Sequence, residues 1–232
     1  MCGRFALAYV RAFHTRFEVI DQAARVEPRF NIAPTQTVPV VVRESTNKVV
    51  GMRWGLVPFW AKDPKIGNRM VNARAESVAT KPAFRASLKR RRCLVPATGF
   101  YEWRRSGRTK QPYYIQTKDD TMFAFAGIYD NWRDPEGGTL QSFTIITTRA
   151  NTFMSKIHDR MPVILRREHE ALWLSDGQLS EDDLGDVLKP YPSGEMRAHM
   201  VSTDVNNPRN DSENLIRPLA RPQSNLESSR KP

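Results

Sequence analysis

Runs of apolar and alternating residues dominate the chain, and most of them point to strands. Residues 37–44 and 48–54 flank Ser45-Thr46-Asn47 and read as two strands around a turn. Residues 93–96, 100–104, 113–117, 122–132 and 140–147 are rich in β-branched and aromatic side chains and read as further strands. Residues 134–138 read as a hairpin loop, and 196–202 as a last strand. The helical signals are short. Residues 9–19 have helical apolar spacing, and Pro82 opens a helix to about Arg90, since proline fits the first helical turn. Segments 149–157, 167–175 and 180–189 read as three more helices. The last is opened by Ser180, with Glu181, Asp182 and Asp183 where the helix dipole favours acids. Many strands with few helices predict an α+β fold: a mainly antiparallel, mixed β core, barrel-like or a sandwich, with peripheral helices in a single domain.

Two stretches break this pattern. Residues 55–72 hold Gly55, Pro58, Pro64 and Gly67 and read as a long loop, a length that is uncommon without a function. From Asn206 the composition turns to Asn, Pro, Ser and Arg. The domain is therefore expected to span residues 1–210, with 211–232 as a flexible tail, disordered after about Pro222.

At 232 residues and 40% hydrophobic, the chain can build a core without a disulfide or metal staple. Its two cysteines exclude a disulfide-rich scaffold and a four-cysteine zinc site. No apolar run approaches the ~18 residues of a membrane span. The start, Met1-Cys2-Gly3-Arg4-Phe5, has no apolar leader segment, which predicts a cytoplasmic protein with no membrane partner. Neither a glycine-rich phosphate loop nor metal-ligand spacing is present, so no nucleotide cofactor and no metal are expected. The net charge of +11 is concentrated: residues 81–110 carry ten basic residues and one acid, Glu102, interleaved with Phe84, Phe100, Tyr101 and Trp103. Basic groups among aromatics suit a single-stranded nucleic acid, and a solvated basic face is the alternative.

Cys2 carries the most chemistry. Loss of Met1 leaves an α-amine beside a thiol on adjacent carbons. The amine titrates at roughly 7.7–8.0, so about a tenth of it is neutral at pH 7. An aldehyde trapped by that amine as an imine can be closed by the thiol into a thiazolidine ring. The same Met-Cys-Gly start also occurs in N-terminal-nucleophile amidohydrolases, which use the thiol on an amide. Three other clusters set polar groups in apolar surroundings: Asn72-Ala73-Arg74-Ala75-Glu76, Gly99-Phe100-Tyr101-Glu102-Trp103 and Ile157-His158-Asp159-Arg160-Met161-Pro162. Each has a structural alternative. Asn72 can cap a helix over residues 73–79, Glu102 can pair with Arg104 on an exposed strand face, and His158 can cap a helix end. As chemistry, a carboxyl among aromatics has a raised pKa, and an imidazole titrates near neutrality. Cys93 reads as a buried strand residue, and His14, His169 and His199 as ordinary surface or helix residues.

In order along the chain, these motifs, together with Asn31-Ile32-Ala33-Pro34-Thr35, Trp54-Gly55-Leu56-Val57-Pro58 and Arg92-Cys93-Leu94-Val95-Pro96-Ala97, resemble the SOS-response-associated peptidase-like (SRAP) family, which senses abasic sites in DNA. The resemblance runs from Cys2 to about Asn207. It implies self-directed removal of Met1, hence the peptidase name. It also implies a covalent crosslink from Cys2 to the ring-opened sugar of an abasic site in single-stranded DNA, with strand-cleaving lyase chemistry as a further possibility of the imine. By the same resemblance Asn72 orients Cys2 and the sugar, Glu102 is the acid/base, and His158 assists opening of the sugar ring. Arg74 and Arg85 match phosphate contacts, and Arg4, Trp54, Trp60 and Arg160 are further expected DNA contacts. The expected protein is a monomer, associated with the nucleoid when bound to DNA. The competing readings are an amidohydrolase or thiol peptidase acting on external substrates, and a non-covalent single-strand DNA-binding module.

Overall fold

The computed structural model describes residues 2–21, 23–119 and 121–219. Its centre is a closed β barrel. β3 (Thr37–Arg43) and β4 (Asn47–Trp54) form the expected hairpin, and β6 (Arg92–Ala97), β9 (Phe123–Arg133) and β10 (Thr139–Arg149) complete the ring. The order is β10-β4-β3-β6-β9, and β9 pairs back onto β10 over seven residue pairs. All neighbours are antiparallel except β10 and β4. β10 is long enough to serve several partners. Beyond the ring it holds β5 (Asn72–Arg74) in parallel and β11 (Arg160–Pro162) in antiparallel pairing.

A second, wholly antiparallel sheet packs on the barrel, in the order β12-β8-β7-β1-β2. Its strands are β1 (Phe5–Leu7), β2 (Arg29–Ile32), β7 (Gly99–Ser106), β8 (Thr109–Thr117) and β12 (Met196–Met200). Aromatic contacts join the two sheets. The Phe5 ring lies 5.1 Å from Trp54 and 5.8 Å from Phe125, and Phe100 lies 5.9 Å from Phe125, all near edge-to-face. β6 lies between both layers and is buried at every position, which is why its sequence is almost continuously apolar. Cys93, on β6, is fully buried, as its strand reading requires.

The helices are peripheral: α1 (Phe13–Arg16), α2 (Ala75–Val78), α3 (Arg85–Arg90), α4 (Arg167–Trp173) and α5 (Glu181–Val187). α5 has the capping box its sequence promises, with Ser180 and Asp183 bonded reciprocally. Two expected helices shrink. The 9–19 segment keeps only the single turn of α1, which ends where Glu18 takes a positive φ of 53°. In 149–157 only a 3-10 turn at Met154–Lys156 forms. The side chain of Asn151 accepts the Met154 N–H at 2.8 Å and turns the chain locally instead.

Two further expectations change. Arg92, counted with the basic face, is only 6% exposed. Its guanidinium donates to the carbonyls of Leu88, Trp173, Ser175 and Gly177, and so closes the ends of α3 and α4. Residues 211–219, read as the start of a tail, belong to the body. Asp211 accepts the backbone N–H groups of Phe30 and Asn31 and pairs with Arg29, while Leu215 and Ile216 are buried. Residues 220–232, including the segment expected to be disordered, lie outside the described residues.

Gly99, at the start of β7, admits the Tyr114 ring so closely that an added Cβ would lie 2.3 Å from it. Gly99→Ala should therefore cost about 1–3 kcal/mol of stability through forced movement of Tyr114. Urea denaturation of the two proteins measures it, and an unchanged midpoint would contradict the packing described.

Candidate active site

The site begins with strand pairing. Phe5 pairs with Phe100 and Ala6 with Gly99, and the Tyr101 N–H donates to the Arg4 carbonyl at 2.9 Å. Continued by two residues, this antiparallel path lays Cys2 alongside Glu102 and Trp103. From the other side β10 presents β5, and the Asn72 amide donates from Nδ2 to the Cys2 carbonyl at 2.8 Å. Asn72 is thus not a helix cap. α2 begins three residues later, and its cap position is Arg74. The buried Asn72 Oδ1 has no hydrogen-bond partner among the described residues.

Burial sets the electrostatics. Cys2 is fully buried, and desolvation, with the neighbouring Glu102 charge adding to it, holds its thiol well above the usual range. Glu102 is 3% exposed, so it is not the solvated strand residue that pairing with Arg104 requires. The Arg104 guanidinium lies instead over the Tyr113 ring at 5.2 Å. Burial pushes the Glu102 carboxyl up to about 7. It therefore holds or releases a proton near neutral pH, the property wanted of an acid/base. His158 follows the 3-10 turn and is pushed below its usual value, first by burial. Its Nδ1 accepts the Arg160 N–H at 3.0 Å, so the neutral ring carries its proton on Nε2. The Asp159 carboxylate, 2.8 Å from the same Nδ1, forms an ion pair with it only when the ring is protonated.

Glu102 and His158 open into one cleft of about 480 Å³, lined also by Trp103, Arg105, Lys110 and Asn206. The indole N–H of Trp103 donates to Asn206 Oδ1 at 2.8 Å, which fixes that wall. Cys2, Asn72, Glu102 and His158, scattered over 157 residues of sequence, are thus gathered in one place.

The expected DNA contacts divide. Trp54 is corrected: it is fully buried, packs on Phe5 and Phe143, and donates its indole N–H to the Val71 carbonyl. It is a core residue. Arg4 donates to Asn31 Oδ1 and the Val205 carbonyl, both at 2.7 Å. Arg160 makes a two-pronged pair with Glu76 at 2.6 and 3.0 Å and donates to the Thr147 carbonyl. Both guanidinium groups are therefore engaged inside the fold. Arg74 and Arg85 are exposed, as is Trp60 at 49%, but none of the three lines the cleft. Arg74 shares a face of β5 with Asn72, two residues away. Arg105 and Lys110 sat within the basic segment without an assigned role, and Trp103 within its motif. Asn206 enters from a segment a hundred residues away and carries no local signal. Among the described residues no group of three or more His, Cys, Asp or Glu side chains is placed to hold a metal, and no helix is long and apolar enough to cross a membrane.

The raised Glu102 value predicts a pH-dependent stability. The folded carboxyl holds its proton up to about 7, against 4.5 unfolded. Its contribution is complete below 4.5 and is lost as the pH rises through 7. Glu102→Gln should therefore gain on the native protein between pH 4 and pH 8.5, by roughly 3 kcal/mol. Urea denaturation across that range checks this, and parallel stability curves would refute it.

Comparison with known proteins shows the family. The family model described as SOS response associated peptidase (SRAP) matches residues 1–208. The abasic site processing protein YoaM of Bacillus subtilis is 45% identical over 226 residues, covering 93% of this chain and 97% of that protein. The abasic site processing protein HMCES of Xenopus tropicalis is 35% identical over 219 residues, covering 81% of this chain and 65% of its own length. A crystal structure of a protein from Bacteroides thetaiotaomicron superposes with a TM-score of 0.84 at 31% identity, covering 94% of this chain and all of that one. The chain belongs to the SOS response associated peptidase family.

Proposed function

We propose that this protein processes abasic sites in DNA by covalent capture. The observation that carries the reading is the start of the chain itself: Cys2, held through its carbonyl by Asn72, lies beside a buried carboxyl that titrates near neutrality, at a cleft shared with His158. The relatives' names, abasic site processing proteins, support the substrate.

The chemistry runs as follows once Met1 is gone. The Cys2 amine attacks C1′ of the ring-opened sugar, and water leaves to give an imine. The Cys2 sulfur then adds to the imine carbon, its proton passes to nitrogen, and the thiazolidine closes. A thiol raised by burial is a poor nucleophile until its proton is taken. Glu102 is the group placed to receive that proton and to exchange protons with the departing water. His158, neutral and donating through Nε2, assists opening of the sugar ring. Asn72 positions the reacting end. The substrate strand is single, which leaves the sugar free to enter the cleft, and exposed Arg74 and Arg85 hold its phosphates while Trp60 stacks on a base. The protein acts as a monomer in the cytoplasm, with the nucleoid as its place of work. Removal of Met1 is self-directed, and the imine also gives access to strand cleavage.

An amide-hydrolysing reading uses the same thiol, but the basic side chains that line the cleft have no part in it.

The test pairs electrophoresis with intact mass. Incubation with a single strand bearing one abasic site should give a crosslink that survives denaturing electrophoresis. Its mass should equal the chain without Met1 plus the strand, less one water. Cys2→Ala, or one residue inserted between Met1 and Cys2, should abolish it, and undiminished stable crosslink in either variant would sink the proposal. Glu102→Gln should slow the reaction by roughly 10²-fold, in a gel time course.

A further inference from the structure

Two cations face one another at the cleft. Arg105 and Lys110 are direct partners in the β7–β8 register, both are exposed, and both line the cleft with Glu102 and His158. Like charges opposite one another on paired strands are destabilising. Among the described residues neither is paired with a carboxylate. What sets this pair apart from the other exposed cations is its place, two charges in direct register at the wall of the cleft that holds Glu102 and His158. Such a pair suits an anion, and phosphate, with several oxygens on one centre, can accept from a guanidinium and an ammonium at once.

The spacing sets the size of that anion's carrier. Glu102 and Arg105 are three residue steps apart, about 10 Å along β7, and reach the shared cleft from opposite faces of that strand. An extended five-carbon chain with a terminal phosphate, met by the reach of an arginine side chain, spans that length. The cleft volume of about 480 Å³ falls among the roughly 300–1,000 Å³ of sites that enclose small molecules. The reacting atoms of an aldehyde are the same whether the sugar belongs to a strand or is free.

Building on the aldehyde-capture reading above, we propose that this site also captures free phosphorylated aldehydes, the open-chain forms of pentose phosphates, with Arg105 and Lys110 holding the phosphate. The step balances as before. The Cys2 amine and the aldehyde lose one water to form the imine, the sulfur bonds to the imine carbon, and the thiol proton moves to nitrogen. No oxidant or further reactant enters. The phosphate selects these sugars from neutral aldehydes, which bring nothing for the cation pair to bind.

The test uses the full chain, shown by mass to lack Met1, with 2-deoxyribose 5-phosphate, with 2-deoxyribose, and in parallel with an abasic single strand. Each sugar's rate is divided by its rate with free cysteine, which removes differences in open-chain content. The phosphorylated sugar should add its own mass less one water, with a corrected rate at least about tenfold above the unphosphorylated one. In the double variant Arg105→Ala, Lys110→Ala that ratio should fall to about one, and the single charge reversal Lys110→Glu should lower it as well. Equal corrected rates in the native protein, or a preference that survives the double variant, would overturn the proposal. A strand that crosslinks while the sugar phosphate does not add overturns this inference alone. Failure of both overturns the aldehyde-capture reading with it.

Discussion

The site depends on a chain start that is part of the core. Phe5 packs between the small sheet and the barrel, against Trp54 and Phe125, and this contact fixes the direction in which the first residues run. Everything chemical follows from where that leaves Cys2. Its burial raises the thiol, its neighbour Glu102 is raised by the same exclusion of water, and Asn72 reaches it because β10 holds β5 in place. A terminal residue is ordinarily the least constrained part of a domain. Here Cys2 is buried and held by Asn72, so the groups proposed to react are brought together without the cost of ordering a loose end.

The barrel supplies the rigidity for this arrangement. β10 is shared among four strands, and two of them, β5 and β11, exist only as its partners. β5 carries Asn72, and β11 begins two residues after His158. One long strand therefore sets the spacing between two groups proposed to act together. The small sheet sets the other half through β7, which carries Glu102 on a position facing the barrel and Arg105 farther out towards the hairpin end.

Much of this was legible in the sequence. Eight of the twelve strands among the described residues followed from apolar runs, because a β core half or wholly buried leaves that mark directly; β1, β2, β5 and β11, of three or four residues each, are too short to leave it. Cys2, Asn72, Glu102 and His158 stood out as polar groups in apolar or unusual settings. What sequence did not reveal was which cations are solvated. Arg4, Arg92 and Arg160 look like surface charges, yet each is engaged by carbonyls or acids brought from elsewhere by the fold. Trp54 looked like a ligand-facing aromatic for the same reason, since its neighbours Phe5 and Phe143 are 49 and 89 residues away. Short helices misled differently. Around Asn151 a single side-chain bond outweighed an apolar spacing that spans only two turns.

The segment from Val205 to Asn210 gives the fold a clock. Asn31 donates through one amide group to the carbonyls of Val205, Asn207 and Asn210 while its Oδ1 accepts from Arg4. The segment so fastened brings Asn206 to the wall of the cleft. A ribosome makes Cys2 about two hundred residues before this strap. At roughly 5–20 residues per second the interval is tens of seconds. Through that time Cys2, the group proposed to capture aldehydes, lies outside any finished cleft. Under the proposed capture chemistry, selectivity at Cys2 is thus acquired only with the strap that finishes the wall.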